Sequence, residues 1–180
     1  MKKIVFIYGI IAGIINLAVS YLVFVVLGDA FSHSQNEVMG YLVMIVALSI
    51  IFVAIKQYRD KNLGGVIKFK TAFLVGLYIS LIAGTIYVAN WEVYMQTAGS
   101  DEFIEQYQTS MINNMKADGA SEEDIQKQLE KNEYYKEMYS NTFFRILITY
   151  SEILPVGLLI SLLSAFLLKN PQLAPFEQKS

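Results

Sequence analysis

Glu152 is the residue of this chain whose position promises chemistry. It lies inside Ile146–Leu168, a run of 23 residues that is otherwise without charge. A helix of that length crosses the roughly 30 Å hydrocarbon core of a bilayer, which puts the carboxyl about two turns from one end of a span. Ionisable groups at such depth are costly, face a bundle interior or water, and mark candidate sites for proton or cation coupling. Pro155, three residues on, removes a backbone donor and frees the carbonyl of Ser151, so it adds polarity beside the carboxyl and predicts a kink. Two further residues are candidates for a polar site inside the membrane. Asn16, in the first apolar run, can offer a hydrogen bond from across the bundle. Arg145 precedes Glu152 by seven residues on the same helix face, about 10.5 Å along the axis. Pairing at that distance would stretch both side chains, so lipid headgroups or Glu92 suit Arg145 better. The plainer role for Glu152, a carboxyl bonded to a neighbouring helix as packing glue, is preferred to ion coupling or substrate contact.

Other chemistries lack their residues. The sequence has no Cys and a single His, His33, which falls in a loop between apolar runs. Thiolate nucleophiles, disulfides and Cys-based metal sites are therefore excluded. The spans offer one carboxylate, whereas an intramembrane hydrolase needs a nucleophile with a base, a carboxylate pair or a metal cluster. No phosphate-binding or dinucleotide fingerprint and no calcium-loop spacing occurs, and Gly64-Gly65 reads as a turn. No catalytic residue, metal or cofactor is expected, and the chain is not expected to be an enzyme.

The elements that must position Glu152 are read from apolar run lengths. The chain is 54% hydrophobic, with mean hydropathy +0.42, and its apolar residues are gathered into blocks. Ile4–Leu27 has 24 residues without a charge, Val38–Ile55 has 18, and Ala72–Ala89 has 18 with Phe69 able to extend it. Lipid demands internal backbone hydrogen bonding, so these runs predict helices. The first follows Met1-Lys2-Lys3 but is too long for a signal-peptide core of roughly 7–15 residues, and Gly28-Asp29-Ala30 is a poor cleavage site. It reads as an uncleaved anchor.

Charge divides by side. Lys2, Lys3, Lys56, Arg59, Lys61, Lys68, Lys70, Lys169 and Lys179 face only Asp60 and Glu177, nine basic against two acidic residues, net +7. The segment 92–141 carries eleven acidic residues and four Lys, net −7. Lys/Arg bias in short loops sets orientation. Both termini and the 56–71 loop are thus expected in the cytoplasm, with the acidic segment outside. Trp91, Tyr94, Tyr139, Phe143 and Phe144 fall at the outer interface, where aromatic rings concentrate.

The segment between the third and fourth spans is too long for an unstructured connection. Ser100 can cap a helix with Ile104, Tyr107, Met111 and Met115 on one stripe, and Gly119 ends it. Ser121-Glu122-Glu123-Asp124 resembles a capping box opening a second helix, with Ile125, Leu129, Tyr135, Met138 and Tyr139 on its apolar face. Small residues recur at helix-packing intervals: Gly9 and Gly13; Ala72, Gly76, Ser80 and Gly84; Gly157, Ser161 and Ala165. Such rows allow close helix approach, within one chain or between copies.

Several patches together resemble a known family: Gly40-Tyr41 with Met44, Ile55 to Asp60, Gly64 to Phe69 leading to Ala72-Phe73 and Gly76-Leu77, Met111 to Gly119 with Ser121-Glu122-Glu123, and Glu152 to Leu158 leading to Ser161-Leu162. They look like the bacterial membrane-protein family catalogued as domain of unknown function 4199. The resemblance implies a four-helix inner-membrane protein of Gram-negative bacteria with no assigned activity, and it transfers no catalytic residue.

The reading is an all-α polytopic membrane protein forming a single membrane domain over 1–180. Its four transmembrane helices fall at about 4–27, 38–55, 69–91 and 143–168, with an extracytoplasmic helical hairpin at 100–139 between the third and fourth. The expected location is the bacterial inner (cytoplasmic) membrane, and the expected partners are the lipid bilayer and either a second copy or another membrane protein, with no nucleic acid. The function expected is a non-enzymatic bundle whose acidic hairpin contacts a partner or the membrane surface. The alternative is a small transport or ion-coupling protein using Glu152.

Overall fold

The computed structural model describes residues 1–23, 33–98 and 100–173. The end of the first span beyond Val23, Gly28-Asp29-Ala30, Glu177 and Lys179 lie outside the described residues, as do the side chains of His33, Ser100, Asp101 and Glu102. Among the described residues seven helices run in order: α1 (Lys2–Tyr21), α2 (His33–Leu48), α3 (Ile50–Asn62), α4 (Phe69–Ala98), α5 (Ser100–Ala117), α6 (Glu122–Ser140) and α7 (Thr142–Leu168). No strand occurs among the described residues. Four stretches are long and apolar enough to cross a membrane: Lys2–Tyr21, Val38–Asn62, Phe69–Thr97 and Thr142–Leu168.

Three helix termini differ from the sequence-based expectation. The second span does not stop where its charges begin but continues to Asn62. Lys56 and Asp60, one turn apart, bridge at 2.7 Å and so favour continuation. The helix stops where Gly64 and Gly65 adopt φ of 65° and 90°, and the Arg59 carbonyl accepts from the Leu63 and Gly65 amides. A side chain would be strained in that backbone. Within this span Ser49 separates α2 from α3, its hydroxyl donating to the Val46 carbonyl at 2.6 Å, a local competitor for the helical ladder. The third span runs on past Trp91 to Ala98, because no Gly or Pro interrupts 85–98 and an established helix extends cheaply. His33, read as a loop residue, opens α2.

The chain divides into two compact units, Met1–Tyr87 with Tyr150–Ser180, and Val88–Thr149. In the first, α1 packs against α2 and α3. Its core includes Leu48, Ile51, Ile55, Val75, Ile79, Ile153 and Leu168. The small-residue rows are where the helices close on one another. A Cβ added to Gly76 would lie 2.6 Å from Ser161 Oγ, and one added to Gly157 would lie 2.6 Å from Ser80 Cβ. The α4 row therefore interlocks with the α7 row. On another side of α4, Ile82 and Ile86 occupy the space over Gly9 and Gly13 of α1. These contacts decide the packing because lipid tails are as apolar as the side chains, so close contact and interhelical hydrogen bonds replace the hydrophobic effect as the main drive.

In the second unit α5 packs against α6. Ile104 is buried, with Tyr107, Met111 and Met115 half-buried, as the stripe on α5 requires. Gly119 turns the chain at φ 77°, and Ser121 Oγ caps α6 by accepting from the Asp124 amide at 3.2 Å. The apolar face expected for α6 is only partly the inward one: Leu129 and Tyr135 are exposed. Residues seven apart share a helix face, and Ile125, Asn132 and Tyr139 are, with Gln128 and Met138, the side chains of α6 that are not exposed. Asn132 takes the centre, its carbonyl accepting from Gln108 Nε2 at 2.7 Å and its Oδ1 from Gln128 Nε2 at 2.9 Å.

Replacing Gly157 by Val should lower the stability of the bundle by about 1–3 kcal/mol, the range for overpacking a closed contact. Gly84→Ala should be tolerated, since its added methyl would meet Ile153 at 3.4 Å, close to ordinary contact. Thermal unfolding in detergent distinguishes the two, and equal melting temperatures would contradict the interlocked rows.

Candidate functional site

Arg145, in the first turn of α7, is held in the second unit by a bidentate ion pair. Its Nε donates to Glu92 Oε1 at 2.8 Å and its Nη2 to Oε2 at 2.6 Å. Nη1 donates to the Tyr139 carbonyl at 2.8 Å, and Nη2 also reaches Thr142 Oγ1 at 3.3 Å. The two charged side chains are only 5% and 12% exposed. A guanidinium is suited to this because its planar fork matches a carboxylate, and burial is tolerable only when the remaining donors are also bonded. Trp91 Nε1 donates to the Tyr139 hydroxyl at 3.2 Å, tying the ring to the same group of residues. Of the two partners weighed for Arg145 from sequence, the structure places Glu92 there.

Glu152 is half-buried in α7. The helix continues through Pro155 without interruption. Asn16 is buried at 2% exposure, and neither its amide nitrogen nor its oxygen has a hydrogen-bond partner among the described residues. The bond considered between Asn16 and Glu152 is therefore absent. Polar contact between α4 and α7 is made elsewhere. Ser80 Oγ and Ser161 Oγ lie 3.4 Å apart, and each also donates to a carbonyl one turn back in its own helix. Thr85 Oγ1 and the Tyr150 hydroxyl are 2.8 Å apart.

The sequence counted Arg59 only as an orienting charge, yet its side chain is 0% exposed. Nε donates to Asp60 Oδ1 at 2.7 Å and Nη1 to the Leu173 carbonyl at 3.2 Å. Asp60, next to Arg59 and one turn after Lys56, was the one local hint. The contact with Leu173 spans 114 positions and leaves no periodic trace. Among the described residues no group of three or more His, Asp or Glu side chains could hold a metal ion.

Four apolar helices, interlocked by small residues and carrying a buried ion pair, define an all-helical integral membrane protein. The family model described as "Protein of unknown function (DUF4199)" matches residues 7–170, and the chain belongs to that family. No curated protein and no solved structure matches the chain.

Removing either partner of the Glu92–Arg145 pair should destabilise the protein by about 3–5 kcal/mol, because the other charge is left buried and unpaired. Glu92→Leu combined with Arg145→Met should cost less than the sum of the single changes. A double-mutant cycle on thermal unfolding measures this, and additive losses would show that the two side chains act independently.

Proposed function

We propose that this protein is a non-enzymatic membrane bundle whose α5–α6 segment docks a protein partner. One observation carries the reading. On α6 the amide of Asn132 is turned inward at 6% exposure, whereas Leu129, Tyr134 and Tyr135 are 43%, 63% and 54% exposed. Aromatic side chains displayed in this way are the residues that anchor protein interfaces. Tyr134 also borders an open depression lined by Glu133, Lys136, Glu137 and Ser140. The acids around it favour a protein over the membrane surface, since anionic headgroups repel carboxylates. On the charge bias of the loops, the bundle sits in the bacterial inner membrane with both termini cytoplasmic and this segment outside.

A photo-crosslinking phenylalanine at position 134 in intact membranes should give a discrete protein adduct that disappears when Leu129 and Tyr135 are changed to Ser. Adducts to lipid alone, or an adduct unaffected by those changes, would overturn the reading.

A second reading is favoured by one feature, the half-buried carboxyl of Glu152 inside a span. In that case Glu152→Gln should abolish proton- or cation-dependent flux into proteoliposomes while leaving the melting temperature unchanged. Flux that persists in the variant, or is absent from the unmodified protein, eliminates it.

A further inference from the structure

At the end of the bundle where α4 begins and α7 ends, Lys169 lies over two aromatic rings. Its Nζ is 4.4 Å from the centroid of Phe166 and 6.0 Å from that of Phe69. Both rings are open to the surroundings, at 59% and 39% exposure. Cation–π contact localises the ammonium but leaves its outer side free for an anion. The charges around it differ in what they have left to give. Asp60 is engaged by Lys56 and Arg59, so the nearby carboxylate is already shared. Lys61, Lys68, Lys70 and Lys169 have no carboxylate within salt-bridge reach among the described residues. Among the described residues this end therefore carries uncompensated positive charge, with Lys68 and Lys70 flanking Phe69 in the chain.

The apolar side of the same place is equally defined. Leu159, Leu163 and Phe166 are 60%, 62% and 59% exposed and recur at helical spacing along α7, forming a ridge that leads to Lys169. The ridge is about 15 Å long at 1.5 Å per residue from Leu159 to Lys169. A ligand that suits both features is amphiphilic, with an anionic head and an acyl chain. A soluble anion would meet the lysines but leave the ridge and rings unused.

We propose that Lys169, Phe166 and Phe69, with the positive field of Lys68 and Lys70, form a binding site for an anionic phospholipid. The phosphate meets the Lys169 ammonium at the interface, and an acyl chain lies along the Leu159–Phe166 ridge. The site uses no residue of α6 and does not depend on a partner docking there.

The test uses the full-length protein in mild detergent, with bound lipid counted by native mass spectrometry during titration with phosphatidylglycerol or phosphatidylcholine of matched chains. The unmodified protein should retain phosphatidylglycerol preferentially. Lys169 is exposed, so Lys169→Gln should fold normally, and it should weaken phosphatidylglycerol binding roughly fivefold, the effect of losing one cation at an anionic surface. Retention of phosphatidylcholine should not change, Lys169→Arg should retain binding, and Lys131→Gln on α6 should have no effect. Equal retention of the two lipids, or the same loss from Lys131→Gln, would overturn the site. Displacement by inorganic phosphate as effective as that by a short-chain phosphatidylglycerol would overturn the lipid assignment in favour of a soluble anion.

Discussion

The first unit depends on how closely α4 can approach its neighbours. Gly76 sits against Ser161 and Gly157 against Ser80, so each helix supplies a glycine where the other supplies a hydroxymethyl group. Without water to drive apolar surfaces together, association in lipid rests on such contacts and on the few polar groups they bring into range. The Ser80–Ser161 approach at 3.4 Å is a consequence of that spacing. The position of Glu152 follows too. The buried seam of α7 runs through Ile153, Gly157, Ser161, Ala165 and Leu168, and Glu152 is one residue, or roughly 100° of rotation, away from it. It therefore flanks the packed seam and stays half-buried instead of standing at its centre.

Two arginines show how far formal charge departs from available charge. Arg59 and Arg145 are both buried, one bonded to the adjacent Asp60 and the other to Glu92, 53 positions away. Each also donates to a backbone carbonyl, of Leu173 and Tyr139 respectively. Arginine suits this use because its fork satisfies several acceptors at once and remains charged under all ordinary conditions. Neither guanidinium is left for a ligand. The exposed charge is carried by other side chains, among them Lys68, Lys70 and Lys169 in the first unit and both the carboxylates and the lysines of α6 in the second.

What the sequence made legible is what period and length encode. Long uncharged runs set the four spans, the four-residue spacing of small residues set the α4 and α7 rows, and Ser121 and Gly119 marked the start of α6 and the turn before it through local backbone chemistry. The apolar face of α6 is legible from spacing, but which of its residues turn inward is not, and Leu129 and Tyr135 are exposed. An amide network among Gln108, Gln128 and Asn132 occupies that place instead, and its first member lies on a different helix. The burial of Arg59 was equally hidden, since its Leu173 acceptor is distant in the chain. Helix ends moved where an ion pair such as Lys56–Asp60 extended a helix past its apolar run.

Asn16 sharpens the energetic comparison among the helices. It lies on the α1 face that carries Gly9 and Gly13, three residues beyond the second glycine, and is buried with neither amide atom bonded among the described residues. A buried polar group without a partner costs about 1–3 kcal/mol, so it works against the packing that the two glycines permit. Helix α7 has no such handicap at its seam, where Ser161 is bonded to the Gly157 carbonyl and approaches Ser80. The contact of α1 with α4 must rest on the fit of Ile82 and Ile86 over the glycines, with the buried amide subtracting from it. The α1–α4 contact thus lacks the polar complement that the α4–α7 seam has, since among the described residues neither amide atom of Asn16 has a partner.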